Sequence, residues 1–214
     1  AMSRAHVLGH AYHNLCLESR TGIQKRTPMT LAETASIFCE TIIKRKAISE
    51  STGDAKLAIL EASLQGSCQV TVDITSRFLF ESAVIEKRKE RALTPEEFCD
   101  LMRQAQLDTY GDGLDPEKLH PYMWAAKPHY YSTFAFYNFP YMFGLLFALG
   151  LYRIYQESPD GFHERYDSLL SRTGMAMAAD LTQEFGIDIT QKSFWAGSLA
   201  VLREDIDEFC NLVG

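Results

Sequence analysis

Apolar residues recur along this chain at intervals of three and four, while the period-two alternation of a half-buried strand is nearly absent. The pattern predicts an all-α protein. A first helix carries His6 to Glu18; the break Arg20-Thr21-Gly22 and the turn Thr27-Pro28 lead into a second, from about Thr30 to Ile48. The connection is short, so these two helices are expected to pack antiparallel. Ser51-Thr52-Gly53-Asp54 is a break with an N-cap signal, and no proline follows until Arg91 is passed, which predicts one long helix or two with a kink near Gly66. Thr94-Pro95-Glu96-Glu97 opens another helix with proline at its first position.

Between Gly111 and Thr133 the pattern dissolves into Gly111-Asp112-Gly113, three prolines, His120 and His129. Long irregular stretches inside compact domains are often functional. The helical pattern returns after Phe134, breaks at Ser158-Pro159-Asp160-Gly161 and Phe185-Gly186-Ile187, and ends in an amphipathic helix from about Phe194 to Leu212. No repeat, low-complexity tract or linker divides the chain, so residues 1–214 read as a single helical domain.

Composition narrows the classes of function. The net charge is −7, and no basic run exceeds the Lys44-Arg45-Lys46 and Lys87-Arg88-Lys89 clusters, which argues against a nucleic-acid partner. With 46% hydrophobic and 23% charged residues the chain is an ordinary globular one, long enough to bury a core. Five widely spaced cysteines without a C-x-x-C pair suggest neither a disulfide framework nor a thiolate metal site, and fit a reducing, cytoplasmic compartment. The N-terminus lacks the features of a signal peptide, and Ala1-Met2 reads as a cloning remnant before an initiator methionine. Phe134 to Tyr152 is the one stretch of membrane-spanning length, but Asn138, Pro140, Gly144, Gly150 and three tyrosines interrupt it, so it reads as a buried helix and no membrane partner is expected.

Chemistry enters with H-V-L-G-H-A-Y-H. On a helix His6 and His10, four apart, project from one face about a turn from each other, the geometry by which two histidines hold one zinc ion. A helical histidine pair is commonly surface or packing. Glu33 changes the weighing: it sits in L-A-E-T-A-S at the start of the second helix, among small residues that permit close backbone approach. An acidic residue in a first helical turn ordinarily just complements the helix dipole. Opposite two histidines across an antiparallel pair, it would complete a His2Glu site with an open fourth position.

H-V-L-G-H-A-Y-H followed by R-T-P-M-T-L-A-E-T-A-S-I-F-C-E resembles the zinc-site region of the oligoendopeptidase F and thimet oligopeptidase family of zinc metallopeptidases. The likeness continues through P-H-Y-Y-S-T-F-A-F-Y-N-F-P-Y-M-F-G and the closing G-I-D-I-T-Q-K-S-F-W. The resemblance implies a zincin-like helical catalytic lobe, the C-terminal portion of a longer hydrolase. It also implies Zn2+ as cofactor, His6, His10 and Glu33 as its ligands, and oligopeptides as substrates. It assigns His129, Tyr137 and Tyr141 to the segment that in the family donates hydrogen bonds to the tetrahedral intermediate, as an oxyanion hole does. Most of the aromatics crowding that segment must be core. Glu40, seven residues after Glu33 on the same helical face, is placed to orient a ligand histidine from behind. His13, His120 and His163 read as structural.

Two departures matter. The family's glutamate, which takes the proton from the attacking water, is replaced by Val7, and valine accepts no proton. Neither Glu18 nor Glu40 is placed by the motif to take over. The expectation is therefore retained zinc binding with turnover largely lost. The alternatives are a non-catalytic zinc-binding remnant and a helical interaction protein. The second departure is length: the family carries several hundred residues before the zinc helix, so an apolar face is expected here that promotes homo-oligomers.

Overall fold

The structure, a computed structural model, describes residues 2–130 and 136–214. Ten α-helices and no strand occur among the described residues: α1 (Met2–Cys16), α2 (Thr34–Glu50), α3 (Gly53–Cys68), α4 (Ile74–Arg88), α5 (Pro95–Tyr110), α6 (Met123–Ala126), α7 (Phe139–Glu157), α8 (Phe162–Leu170), α9 (Ala178–Glu184) and α10 (Lys192–Val213). The expected all-α class holds. Three boundaries differ from the sequence pattern. A 3-10 turn over Met29–Leu31 delays α2, so that Glu33 becomes its N-cap. Where one long helix, or two with a kink near Gly66, is expected, α3 and α4 are joined through a π-helical turn over Gln69–Asp73. Helix α7 starts at Phe139, with Pro140 in its first turn, where a missing N–H costs nothing; Phe134, the expected start, lies outside the described residues.

The chain forms two compact units. The first comprises Ala1–Gln65 and Phe143–Gly214. Here α1 and α2 run antiparallel, for Gly9 abuts Ala35 and Ser36 while the earlier His6 meets the later Glu40. Phe38 of α2 packs in tilted contact with Phe162 and Tyr166 of α8 at centroid separations of 5.7 and 4.8 Å. Phe147 and Leu151 of α7 are fully buried, and α10 crosses α7 at Gly150, where any Cβ would collide with the ring of Phe194. The end of α1 is anchored by His13, whose Nε2 lies 2.9 Å from Oγ1 of Thr173, itself 3.2 Å from the Thr27 hydroxyl. Burial pushes the His13 imidazole below the ordinary histidine range. A neutral ring bonded to Thr173, and through it to Thr27, fixes the azimuth of α1, and with it the direction in which His6 and His10 point.

The second unit spans Gly66–Met142. Its core is Phe80 and Val84 of α4 against Met102 and Ala105 of α5, closed by Tyr130 and by Phe98 stacked on Trp124. A π turn inserts one extra residue into a helix and is often found at functional sites. Here it delivers Asp73 into a buried polar network. Arg77 pairs with Asp73 and donates to Oδ1 of Asn138 at 3.0 Å. Asn138 in turn donates to Glu81 at 2.7 Å, and the Tyr110 hydroxyl to Asp73 at 3.1 Å. Burial first, then the Asp73 charge, pushes that hydroxyl up to about 12. Asn138 is fully buried between Tyr137 and Phe139, so the network pins the start of α7.

Candidate metal centre

Three side chains from α1 and from the cap of α2 converge. The Nε2 atoms of His6 and His10 stand 3.2 Å apart, and Oε2 of Glu33 lies 3.5 Å from each. One donor atom from each of these residues falls within 4.8 Å of the others, a group that could hold a metal ion. Glu33 is buried and both histidines are half-buried, so the triangle sits at the surface of the helix pair with its acidic corner inside.

Close approach of the helices makes this convergence attainable. A Cβ on Gly9 would overlap the Ala35 carbonyl oxygen and the Ser36 Cα, both backbone atoms that cannot move aside. From the other side Gly144 of α7 packs on Glu33: a Cβ there would come within 2.8 Å of Cβ of Glu33 and 2.9 Å of Cδ1 of Ile37. Gly144 thus packs on Glu33 itself, and Gly9 on the two residues of α2 that follow closely after it. Ser36, fully buried one turn on, donates its hydroxyl to Oε2 of Glu33 at 2.7 Å. Gly9, Gly144 and Ser36 were not singled out by motif, although the small residues around Glu33 carried the signal for close packing.

Glu40 places Oε1 3.6 Å from Nδ1 of His6, on the ring edge away from Glu33. That places a carboxylate behind the ring, on the side opposite the donor triangle. Val7 is 65% exposed and brings only methyl groups to the position beside His6. In the second unit, His129 and Tyr141 meet edge to face at 6.0 Å, and Tyr137 and Tyr141 at 5.4 Å. These three aromatics form one cluster. Burial, then the charges of Arg77 and Lys127, holds the His129 imidazole below the usual range, which keeps it neutral.

Residues 3–201 match peptidase family M3 over almost the whole chain. The chain belongs to that family. It is 27% identical to Group B oligopeptidase PepB of Streptococcus agalactiae over 97% of its own length, and 23% identical to an oligoendopeptidase F homolog of Borreliella burgdorferi over 95%. It spans about 35% of the length of either relative. Among solved structures, oligoendopeptidase-F from Enterococcus faecium superposes with a TM-score of 0.80 at 22% identity, covering 99% of this chain and 39% of that one. A chain from Chlamydophila abortus reaches 0.85 at 22% identity, covering 97% of this chain and 35% of the other. The M3 fold is therefore shared along the full chain, and no helix among the described residues is long and apolar enough to cross a membrane.

Proposed function

We propose that this M3 chain is the zinc-holding portion of an oligoendopeptidase F-type metalloendopeptidase, acting on short peptides, with its hydrolytic step suppressed by Val7. The observation that carries the reading is the triangle of donor atoms with edges of 3.2, 3.5 and 3.5 Å. Zinc bound tetrahedrally at about 2.0–2.1 Å separates any two of its ligands by about 3.3 Å. His6, His10 and Glu33 thus fit the group without rearrangement, and two neutral imidazoles with one carboxylate are a donor set of catalytic zinc sites.

Bound there, zinc would supply a Lewis acid for a peptide carbonyl and for water. The remaining work falls to side chains. Glu40, 3.6 Å from Nδ1 of His6, would orient that ring from behind, and Ser36 holds the Glu33 carboxylate. His129, Tyr137 and Tyr141 take the role of donors to the oxygen on which charge builds. Val7 leaves the proton-accepting role unfilled, and this favours a second reading, a zinc-binding protein that holds peptides without cutting them. Self-association through an exposed apolar face and a cytoplasmic location complete the proposal; all five cysteines are free thiols, as a reducing compartment would keep them.

The test is zinc per chain after loading and desalting. One equivalent in the wild type, lost in His10→Ala, supports the site; equal zinc in both overturns it. Peptide hydrolysis near background by the zinc-loaded chain is expected, and robust chelator-sensitive cleavage would overturn the role given to Val7.

A further inference from the structure

In the second unit, the side chain of Asn138 uses both ends of its amide. An arginine can only donate and a carboxylate accepts, so the polarity of the amide is dictated by its neighbours. Arg77 donates to Oδ1 at 3.0 Å, and Nδ2 donates to Oε1 of Glu81 at 2.7 Å. Arg77 and Glu81 stand four residues apart on α4, so Asn138 bridges a cation and an anion one turn from each other. Arg77 is itself held. Its other terminal nitrogen pairs with Asp73, whose carboxylate also accepts from Gln69 at 3.0 Å and from the Tyr110 hydroxyl at 3.1 Å. Asn138 and Arg77 are both buried, where an unmade hydrogen bond is costly and a fully made network holds its members in one arrangement.

Two of the three aromatics given a donor role hang directly on this residue. Tyr137 precedes it in the chain, and the backbone N–H of Tyr141 donates to its carbonyl oxygen at 3.2 Å. The rings of Tyr137 and Tyr141 meet at 5.4 Å, and Tyr141 carries the contact on to His129 at 6.0 Å. We propose that Asn138 is a positioning residue: bracketed by Arg77 and Glu81, it sets where Tyr137 and Tyr141 stand relative to His129. Supporting residues of this kind matter because a donor misplaced by about 1 Å can cost about a hundredfold in rate. After burial, the Arg77 charge is the next influence that keeps the His129 imidazole neutral, so bracket and cluster are coupled electrostatically as well. That the cluster serves a tetrahedral intermediate rests on the peptidase reading; that Asn138 sets its geometry rests on the second unit alone.

The test is an exchange of amide and carboxylate. Asn138→Asp sets a second carboxylate against Glu81 and breaks the bracket; adding Glu81→Gln restores a donor opposite the new acceptor at the net charge of the wild type. Nuclear magnetic resonance on the whole metal-free chain, with its aromatic rings labelled, reads ring-to-ring contacts. Asn138→Asp should lose the Tyr137–Tyr141 and His129–Tyr141 contacts while keeping that of Phe98 with Trp124 in the same unit, and the double variant should regain both. Contacts that persist in Asn138→Asp overturn the proposal. So does a loss that extends to Phe98 and Trp124, which marks a general structural role, or a double variant that regains neither contact. No zinc enters this measurement, so a chain that fails to bind zinc sinks the peptidase reading and leaves the result on Asn138 standing. In the zinc-loaded Val7→Glu chain, Asn138→Asp should lower kcat about a hundredfold at unchanged KM, with recovery in the exchanged pair; a change in KM alone overturns the positioning role.

Discussion

The Ser36 hydroxyl donates to Oε2 of Glu33 at 2.7 Å, and that same oxygen faces both histidines at 3.5 Å. A carboxylate with a free χ angle would have to be immobilised each time a cation arrived; this one is already held by a buried side chain one turn away. Groups that orient metal ligands typically contribute about 10–100-fold to affinity. Ser36→Ala removes one oxygen from a fully buried position and leaves the fold intact, so zinc affinity should fall within about that range. Competition titration against a chromophoric chelator measures it.

Gly9→Ala should damage both stability and metal binding. The added methyl meets backbone of α2 and no flexible side chain, so the helices must separate. Overpacking of this kind costs about 1–3 kcal/mol. Urea unfolding of the metal-free variant gives the stability term. A zinc titration should show weakened binding, because separating the helices moves Glu33 away from both histidines.

Val7→Glu restores an acceptor beside His6. Positioned acid–base groups contribute about 10²–10⁴-fold to turnover. Cleavage of a fluorogenic oligopeptide by zinc-loaded Val7→Glu should exceed that of the wild type and vanish with chelator. Unchanged zinc stoichiometry between the two would assign the difference to proton transfer. Equal, low rates in both, with zinc bound, would mean that substrate positioning limits the reaction.

His13 predicts an acid-labile first unit. Its folded pKa is lowered by burial from an unfolded value of about 6.5. The stabilisation that its neutral form provides is fully present above that value. It is lost as pH falls through the lowered folded pKa, because the unfolded chain takes up the proton more readily. The urea midpoint of the wild type should drop on moving from pH 7.5 to 5.5, and that of His13→Gln should drop less.

How much of this was legible in sequence follows the physics of each feature. Helical periodicity is a property of single segments, so the order of the helices and the pairing of α1 with α2 could be read directly. The triangle of His6, His10 and Glu33 was legible because two of its corners share one helix at a spacing fixed by helical geometry. Boundaries were poorer where tertiary contacts decide them. Gln69–Asp73 carries an unbroken helical pattern, and only the burial of Asp73 beside Arg77 distinguishes a π turn from an α turn. The late start of α7 likewise depends on Asn138 being drawn into hydrogen bonds with Arg77 and Glu81, partners about sixty residues away in sequence. Gly9 reads as one more glycine until the second helix is laid against it.

The packing of Gly144 on Glu33 and of Gly9 on Ala35 and Ser36 would have a consequence for which ions the proposed site admits. A rigid donor triangle acts as a gauge. Calcium, with oxygen ligands at about 2.3–2.6 Å and six to eight of them, needs a wider and more numerous set of donors than two imidazoles and one carboxylate offer. Magnesium prefers an octahedron of oxygens and sheds its water reluctantly. If the proposed site holds zinc, two glycines that carry no chemistry of their own would set its bore, and widening it by a single methyl should loosen its discrimination between small and large cations before it abolishes binding.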